Sequence, residues 1–339
     1  MNDLTAAVRE KIISKILNGD YLPGEKLPAE RDFAADNSIS RITVRRAFAQ
    51  LEAAGIIFRR PPSGTFVSDT FRAHSRELES IGLITSLPHE FSGKFVESIS
   101  CCCENQDILL ALGIPQDDRA ATQAEIACRM ASRGVKNIIV WGTEKSNAEP
   151  VFERLRILGV NMVFFDQVIP GNFADFVGLD NRQAVESLCD TAISQGKSEL
   201  IFINFSDLDI DSNNEREKAF ICKTSAAGVS GKVYRFPRTS TLAQRKEFLQ
   251  TLPDNRDHNC AVIGVNGSII KQLFPENPRN YALFCIDHLP ELSDLKVICY
   301  AQPIAEMASC TVEMLKNQCR KGEKWHSTNR RFAGKLVGI

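Results

Sequence analysis

A chain of 339 residues is long enough for two or three folding units, and its 43% hydrophobic fraction suits a globular protein with a sizeable core. The formal net charge of −1 excludes a uniformly basic nucleic-acid coat, though not a local basic face. No run of about 18 apolar residues is present, so no transmembrane helix is expected. Met1-Asn2-Asp3-Leu4 also lacks the basic-then-apolar order of a secretory signal. A cytoplasmic location follows as the expectation.

In chain order, Val8, Ile12 and Ile16, with Ile13 and Leu17, lie on one side of a first helix over residues 4–17, which Gly19 ends. Pro28 sits where a second helix can begin, because its missing N–H would be unpaired there anyway. Asn37-Ser38 breaks that helix. Ser40 is a good N-cap for the third, and Gly55 suits the position just past its end. Val44, Ala47, Phe48 and Leu51 form the buried stripe of the third helix. Arg41 and Arg45, four apart, share another face near its N-terminus, where a recognition helix meets base edges and phosphates. Arg59 and Arg60 then enter a hairpin with Pro62-Ser63-Gly64 at its tip. Between Arg41 and Arg60 there are five arginines against one glutamate, a local basic field.

Four stretches carry a resemblance to the winged helix-turn-helix of the GntR family of bacterial transcription regulators. They are Gly24-Glu25-Lys26-Leu27-Pro28-Ala29-Glu30-Arg31, then Ser40-Arg41-Ile42-Thr43-Val44-Arg45, and Leu51-Glu52-Ala53-Ala54-Gly55-Ile56-Ile57 with Gly64-Thr65-Phe66-Val67. The likeness implies that Arg31, Arg41, Thr43, Arg45 and the wing glycine Gly64 contact double-stranded operator DNA. Pro61-Pro62 departs from the polar or basic residues common there. The expected DNA-binding domain is 1–68, followed by a polar, aperiodic linker over 69–79.

From Ile81 short apolar runs alternate with amphipathic segments. The runs lie at 81–84, 108–110, 137–141, 162–165, 200–203, 261–265, 281–286 and 296–300. This pattern predicts repeated βαβ units with parallel sheets buried on both faces, too many strands for one unit and so two α/β subdomains over 80–339. Ligands in such folds bind beyond the carboxyl ends of strands. Ser86, Asp166, Asn266 and Asp287 stand there.

Val163-Phe164-Phe165-Asp166, Val177-Gly178-Leu179-Asp180-Asn181, Arg216-Glu217-Lys218-Ala219-Phe220, Val262-Ile263-Gly264-Val265-Asn266 and Phe284-Cys285-Ile286-Asp287 resemble the effector domain of the LacI/GalR family, which shares the fold of periplasmic sugar-binding proteins. Ala219 stands where that family has glycine. The joint resemblance is to regulators of the arabinose-repressor type. It implies an N-terminal winged helix-turn-helix followed by a two-subdomain periplasmic-binding-protein-like domain of α/β class. Asp166, Arg216, Asn266 and Asp287 would reach a sugar or sugar derivative bound between the subdomains. Carboxylate, guanidinium and amide together can satisfy hydroxyls as donors and acceptors. Phe91, Phe236 and Trp141 are candidates for an aromatic wall. Each polar residue also has a structural alternative: Asp287 and Asn266 as caps, Arg216 as the partner of Glu215. Asp180 reads better as a cap than as a ligand.

A repressor is expected by analogy, with a non-sugar effector such as a nucleobase, or an activator, as the alternative. No Gly-x-Ser-x-Gly elbow, Gly-rich phosphate loop before Lys-Ser/Thr or His-Glu-x-x-His is present, so neither an enzyme, a cofactor nor a metal is expected. Eleven scattered cysteines fit reduced thiols. Cys101-Cys102-Cys103 diverge by about 100° each on a helix and read as core filler. A homodimer is expected, paired through Ile304, Met307, Ala308, Val312 and Leu315 on a helix over residues 302–321.

Overall fold

The computed structural model describes residues 4–68, 77–85, 90–115, 120–142, 149–168, 171–277, 279–287, 289, 292 and 295–338. Residues 69–76 of the expected linker, Ser86 and the side chain of Phe91 lie outside the described residues. The N-terminal segment runs α1 (Leu4–Asn18), α2 (Glu30–Asp36), α3 (Arg41–Ala53), β1 (Ile57–Arg60) and β2 (Gly64–Val67). The next stretch runs β3 (Ser80–Ile84), α4 (Glu90–Glu104), β4 (Leu109–Gly113), α5 (Ala120–Ser132), β5 (Asn137–Trp141), α6 (Glu149–Ile157), β6 (Asn161–Phe165) and β7 (Asp175–Leu179). Then come α7 (Asn181–Ser194), β8 (Glu199–Phe205), α8 (Asp211–Ala227), β9 (Ser230–Phe236), α9 (Leu242–Thr251), β10 (Cys260–Gly264), α10 (Gly267–Leu273) and β11 (Ala282–Ile286). The chain finishes with β12 (Ile298–Ala301), α11 (Ile304–Lys321), β13 (Asn329–Phe332) and β14 (Lys335–Val337).

The helix-turn-helix forms for the reasons its sequence gives. Ser40 Oγ accepts from the Thr43 N–H at 3.1 Å, satisfying one of the donors left over at the start of α3. Val44, Ala47, Phe48 and Leu51 are buried, and Phe48 meets Phe33 of α2 edge-on with ring centroids 6.0 Å apart. Each such burial stabilises by roughly 1.5–3 kcal/mol for the larger side chains. Gly55 follows the C-cap Ala54 with φ +70°, as a helix end of this kind requires. Pro28 is not the first helical residue: α2 starts at Glu30 with Ala29 as its N-cap, so Pro28 precedes the helix and fixes the approach of the chain. β1 and β2 pair antiparallel from Ile57↔Val67 to Arg60↔Gly64, and Lys26 makes an isolated antiparallel bridge to Phe66.

Two six-stranded sheets follow. The first has the order β4-β3-β5-β6-β7-β13 and the second β9-β8-β10-β11-β12-β14. Within the second, β12 and β14 pair antiparallel, with Cys299 opposite Val337. The central strands are buried on both faces, as in Asn161–Phe165 and Cys260–Gly264, which is why they read as unbroken apolar runs. The chain divides into two compact units. The first joins the winged segment to β3, residues 96–176 and residues 308–329; the second holds residues 177–307 and 330–339.

The expected dimer stripe on α11 meets a correction. Met307, Ala308, Val312 and Leu315 are buried within this one chain, and Thr311 and Gln318 beside them are fully covered. Gln318 donates to the Met162 carbonyl at 2.8 Å and to Asp175 at 2.7 Å, so this face is a core face of its own subunit. The amphipathic period that marks a helix–helix seam marks a core helix equally well.

Candidate functional site

The winged segment presents a set of exposed cations at one end of α3. Arg41, Arg45 and Arg46 are exposed, and Thr43 is half-buried with its hydroxyl 2.8 Å from Ser40 Oγ. Arg31 at the start of α2 is exposed and lies 3.3 Å from Asp32. Gly64 opens the second wing strand with φ +124°, and an added Cβ would come within 2.7 Å of Lys26 Cε. The structure therefore brings the predicted residues of α3 and the wing into one small domain, but it adds a member that sequence reasoning passed over. Glu30, largely buried, accepts from Arg45 Nε at 3.3 Å through one carboxylate oxygen and from Arg59 Nη2 at 2.9 Å through the other. Arg59 also meets Glu52 at 2.9 Å. Arg45 and the wing arginine are thus held from behind by one acid. Ile42 is 68% exposed between Arg41 and Thr43, an apolar residue off the buried stripe. In a groove-reading helix such a residue can meet a thymine methyl.

The carboxyl ends of the strands collect polar groups in each sheet. In the second sheet, Arg216 is buried and fixed by two hydrogen bonds, from Nε to Asn181 Oδ1 at 2.7 Å and from Nη1 to the Val265 carbonyl at 2.9 Å. It does not pair with Glu215, which is taken by both terminal nitrogens of Arg331 at 2.8 Å and by Asn181 at 2.9 Å. Burial works to raise the Glu215 pKa, but these hydrogen bonds and the charges of Arg331 and Arg216 lower it on balance. Asn266 caps α10, its Oδ1 accepting from Ile269 N–H at 3.2 Å and from the Ser268 hydroxyl at 3.0 Å. The amide oxygen is therefore structural, and the cap reading holds for that atom; the Nδ2 donors are not used by the cap.

Asp287 follows β11 with φ +75°, and Asp166 follows β6 with φ +63°. Non-glycine residues are uncommon in this region, and such backbone, costing about 1–3 kcal/mol, gathers at functional sites. Asp287 Oδ1 accepts from Gln302 Nε2 at 2.6 Å. Gln302, just past β12, was not singled out from sequence. Its Oε1 is buried without a partner among the described residues. The signal was available, since Gln302 also stands at the carboxyl end of a parallel strand. Asn213, in the first turn of α8, likewise has a buried Nδ2 with no partner among the described residues.

In the first sheet, Trp141 at the end of β5 is half-buried and packs edge-on against Phe165 at 4.9 Å, so it remains a candidate for an aromatic wall. Phe236 does not: it is buried against Phe248 at 4.6 Å and belongs to the second core. Asp180 is the N-cap of α7, accepting from Gln183 N–H at 2.9 Å. Cys101, Cys102 and Cys103 grade from exposed to buried along α4. Burial pushes the Cys103 thiol up to about 11, with the neighbouring Cys102 adding to it, and raises Cys102 as well. Both thiols stay protonated near neutrality, unlike reactive cysteines. Among the described residues no group of three His, Cys, Asp or Glu could hold a metal ion, and no helix is long and apolar enough to cross a membrane.

Residues 4–67 match the model of the bacterial regulatory proteins of the gntR family. The N-terminal segment is thus a gntR-type winged helix-turn-helix. The arabinose metabolism transcriptional repressor of Geobacillus stearothermophilus is 35% identical over 79 residues, 23% of this chain and 22% of that protein. The chain spans only about a fifth of that relative's length, all in the alignment of one region. Most of the chain shares its fold with the Cra transcriptional dual regulator of Pseudomonas putida, solved in complex with fructose 1-phosphate. The TM-score is 0.65 at 13% identity, covering 77% of this chain and 98% of that one. It is similar also to a periplasmic binding protein/LacI transcriptional regulator of Alkaliphilus metalliredigens complexed with D-xylulofuranose, with TM-score 0.62, 16% identity, and coverage of 76% and 97%. The two sheets therefore have the periplasmic-binding-protein-like fold of LacI-type regulators.

Proposed function

We propose that this protein is a transcription regulator, a repressor, that binds operator DNA through the winged segment and responds to a sugar or sugar derivative through its α/β part. The division is residues 1–68 for DNA, 69–79 as linker and 80–339 for the effector. The observation that carries the DNA half is the exposed Arg41 and Arg45 on a Ser40-capped helix, with Glu30 tying Arg45 to the wing. A helix N-terminus with arginines and a wing is suited to a major groove and its phosphates. Arg31, Thr43 and Gly64 complete the proposed DNA contacts.

For the effector, Arg216, Asn266 and Asp287 are the proposed ligand groups of the second sheet, joined by Gln302, whose side-chain oxygen has no partner among the described residues and can accept from a hydroxyl. Asp166 holds the corresponding strand end in the first sheet and is proposed on the same chemical ground. Donors and acceptors in this mixture match a polyol better than an apolar ligand. The ligands in the two structural relatives, a sugar phosphate and a ketopentose, give the first compounds to screen. The protein is proposed to act in the cytoplasm as a homodimer, since two winged heads double the contacts and fix a half-site spacing.

The test is selection of duplexes from a random library, followed by binding of Arg41→Ala and Arg45→Ala. Base-reading arginines cost roughly 1–3 kcal/mol on the selected sequence. If they touch only phosphates, binding weakens on every sequence and the salt slope falls by about 1. Unchanged binding in both variants sinks the recognition-helix assignment.

A further inference from the structure

The winged segment is not attached to the α/β part by the chain alone. The end of α1 shows how. A helix leaves its last four carbonyls without intrahelical partners. Here the Lys15 carbonyl is taken by the Asp20 N–H at 2.9 Å and the Ile16 carbonyl by the Gly19 N–H at 3.1 Å. The Leu17 carbonyl is taken from another element: Arg154 of α6 donates to it from Nε at 3.2 Å and from Nη2 at 3.1 Å. Gly19, with φ +85°, lets the guanidinium lie close over the turn, its Cζ 3.6 Å from where a Cβ would sit. A cation here also meets the negative end of the α1 dipole.

Two further observations fall on the same seam. Val8, Ile12, Ile16 and Leu17 of α1 belong to one continuous buried cluster with Ala124 and Ala127 of α5 and Phe152 and Leu155 of α6. The core of the winged segment therefore runs into the core of the first sheet. Arg9 of α1 lies close enough to Lys136, in the turn before β5, that its like charge joins burial in holding the Lys136 ammonium below its ordinary range.

We propose that the face of α1 is a docking surface for α5 and α6, latched by Arg154 on the Leu17 carbonyl, so that the winged segment and the first sheet move as one body and DNA engagement is felt in α5 and α6. The DNA-reading head is then oriented by the first sheet. A charge-assisted pair of hydrogen bonds to one carbonyl resists opening more than a single neutral bond. The DNA part of this inference rests on the function proposed above; the latch itself does not.

Hydrogen exchange on the full chain separates the two. Without DNA, Arg154→Ala should speed exchange in the last turn of α1 and along α6 by about tenfold or more, and leave α3 and the second sheet as in the wild type. Arg154→Lys, which keeps a charge and loses the fork, should fall between, and it serves if the alanine variant fails to fold. Equal exchange of α1 and α6 in wild type and Arg154→Lys overturns the latch whether or not DNA binds. With a duplex selected from a random library, wild type should gain protection in α3, the wing and also α6, and the Arg154 variants should keep the first two and lose the last. Protection confined to α3 and the wing in the wild type overturns the transmission. Absence of protection in α3 itself counts against the DNA reading, while the DNA-free comparison still decides the latch.

Discussion

Glu30→Ala is the most informative single change in the winged segment. The carboxylate anchors two cations that face the proposed DNA surface, Arg45 at 3.3 Å and Arg59 at 2.9 Å. Arg45 is 65% exposed, so the pair stabilises the fold by little, at the low end of about 0.2–1 kcal/mol. Its effect on recognition is larger. An arginine side chain carries about 2 kcal/mol of rotamer entropy. If the anchor removes half of that before binding, its loss costs about 1 kcal/mol on the selected operator, close to fivefold. The same substitution removes a negative charge from the DNA face, and this strengthens attraction to phosphates on any sequence. The salt slope should steepen by roughly one charge. Operator affinity thus falls relative to unrelated DNA, and the specificity ratio drops about fivefold. Glu30→Gln keeps an acceptor oxygen and loses the charge, so it should steepen the salt slope with a smaller loss of ratio. Fluorescence anisotropy on both duplexes at several salt concentrations reads all of this. A Glu30→Ala protein with an unchanged ratio would refute the anchoring argument.

Two further predictions follow from geometry and from charge. Gly64→Ala places a side chain at φ +124° and crowds the flexible end of Lys26; it should cost about 1–3 kcal/mol in the wing and speed exchange of the Thr65–Val67 amides while α3 stays protected, and unchanged wing exchange would contradict it. Glu215 has a folded pKa below its ordinary value of about 4.3, because Arg331 and Asn181 outweigh its burial. Its contribution is therefore present above that ordinary value and lost as pH falls through the depressed folded one. The denaturant midpoint of wild type should exceed that of Arg331→Ala near neutrality, by a small margin because both side chains are over a third exposed, and the gap should close in acid. A gap that widens in acid would reverse the sign of the argument.

The sequence was most informative where local chemistry and periodicity agreed. Ser40, the Val44–Leu51 stripe and Gly55 each did locally what their types dictate, so the helix-turn-helix was legible except at the start of α2, which begins two residues after Pro28. Most buried central strands were legible as apolar runs, but β7, whose Asp-Phe-Val-Gly-Leu is broken by Asp175 and Gly178, was not, and neither were β9, β13 and β14. β9 is an edge strand with an exposed first half, and β13 is Asn-Arg-Arg-Phe, exposed along most of its length. Edge strands need no apolar run, so they leave none to read. Asp287 and Asp166 were proposed from their place after strands; both have left-handed backbone, which they share with six other described non-glycine residues. Gln302 and Glu30 were missed because their meaning comes from partners 15 residues away in the one case and 15 and 29 in the other. The face of α11 misled because one amphipathic period serves both a subunit core and a dimer seam.

The central claim, that one chain couples a DNA-reading head to an effector site, is tested most directly by a pair of titrations. A screen of sugars and sugar phosphates by thermal shift identifies a ligand that stabilises the folded protein. That ligand is then titrated with and without the selected operator, on wild type, Asp287→Ala and Arg41→Ala. Linkage requires that operator change ligand affinity by the same factor by which ligand changes operator affinity, typically 5–150-fold or about 1–3 kcal/mol. Asp287→Ala should lose the ligand response and keep operator affinity in its absence, and Arg41→Ala should do the reverse. The account is contradicted if operator leaves ligand affinity unchanged, or if Asp287→Ala responds to the ligand like the wild type.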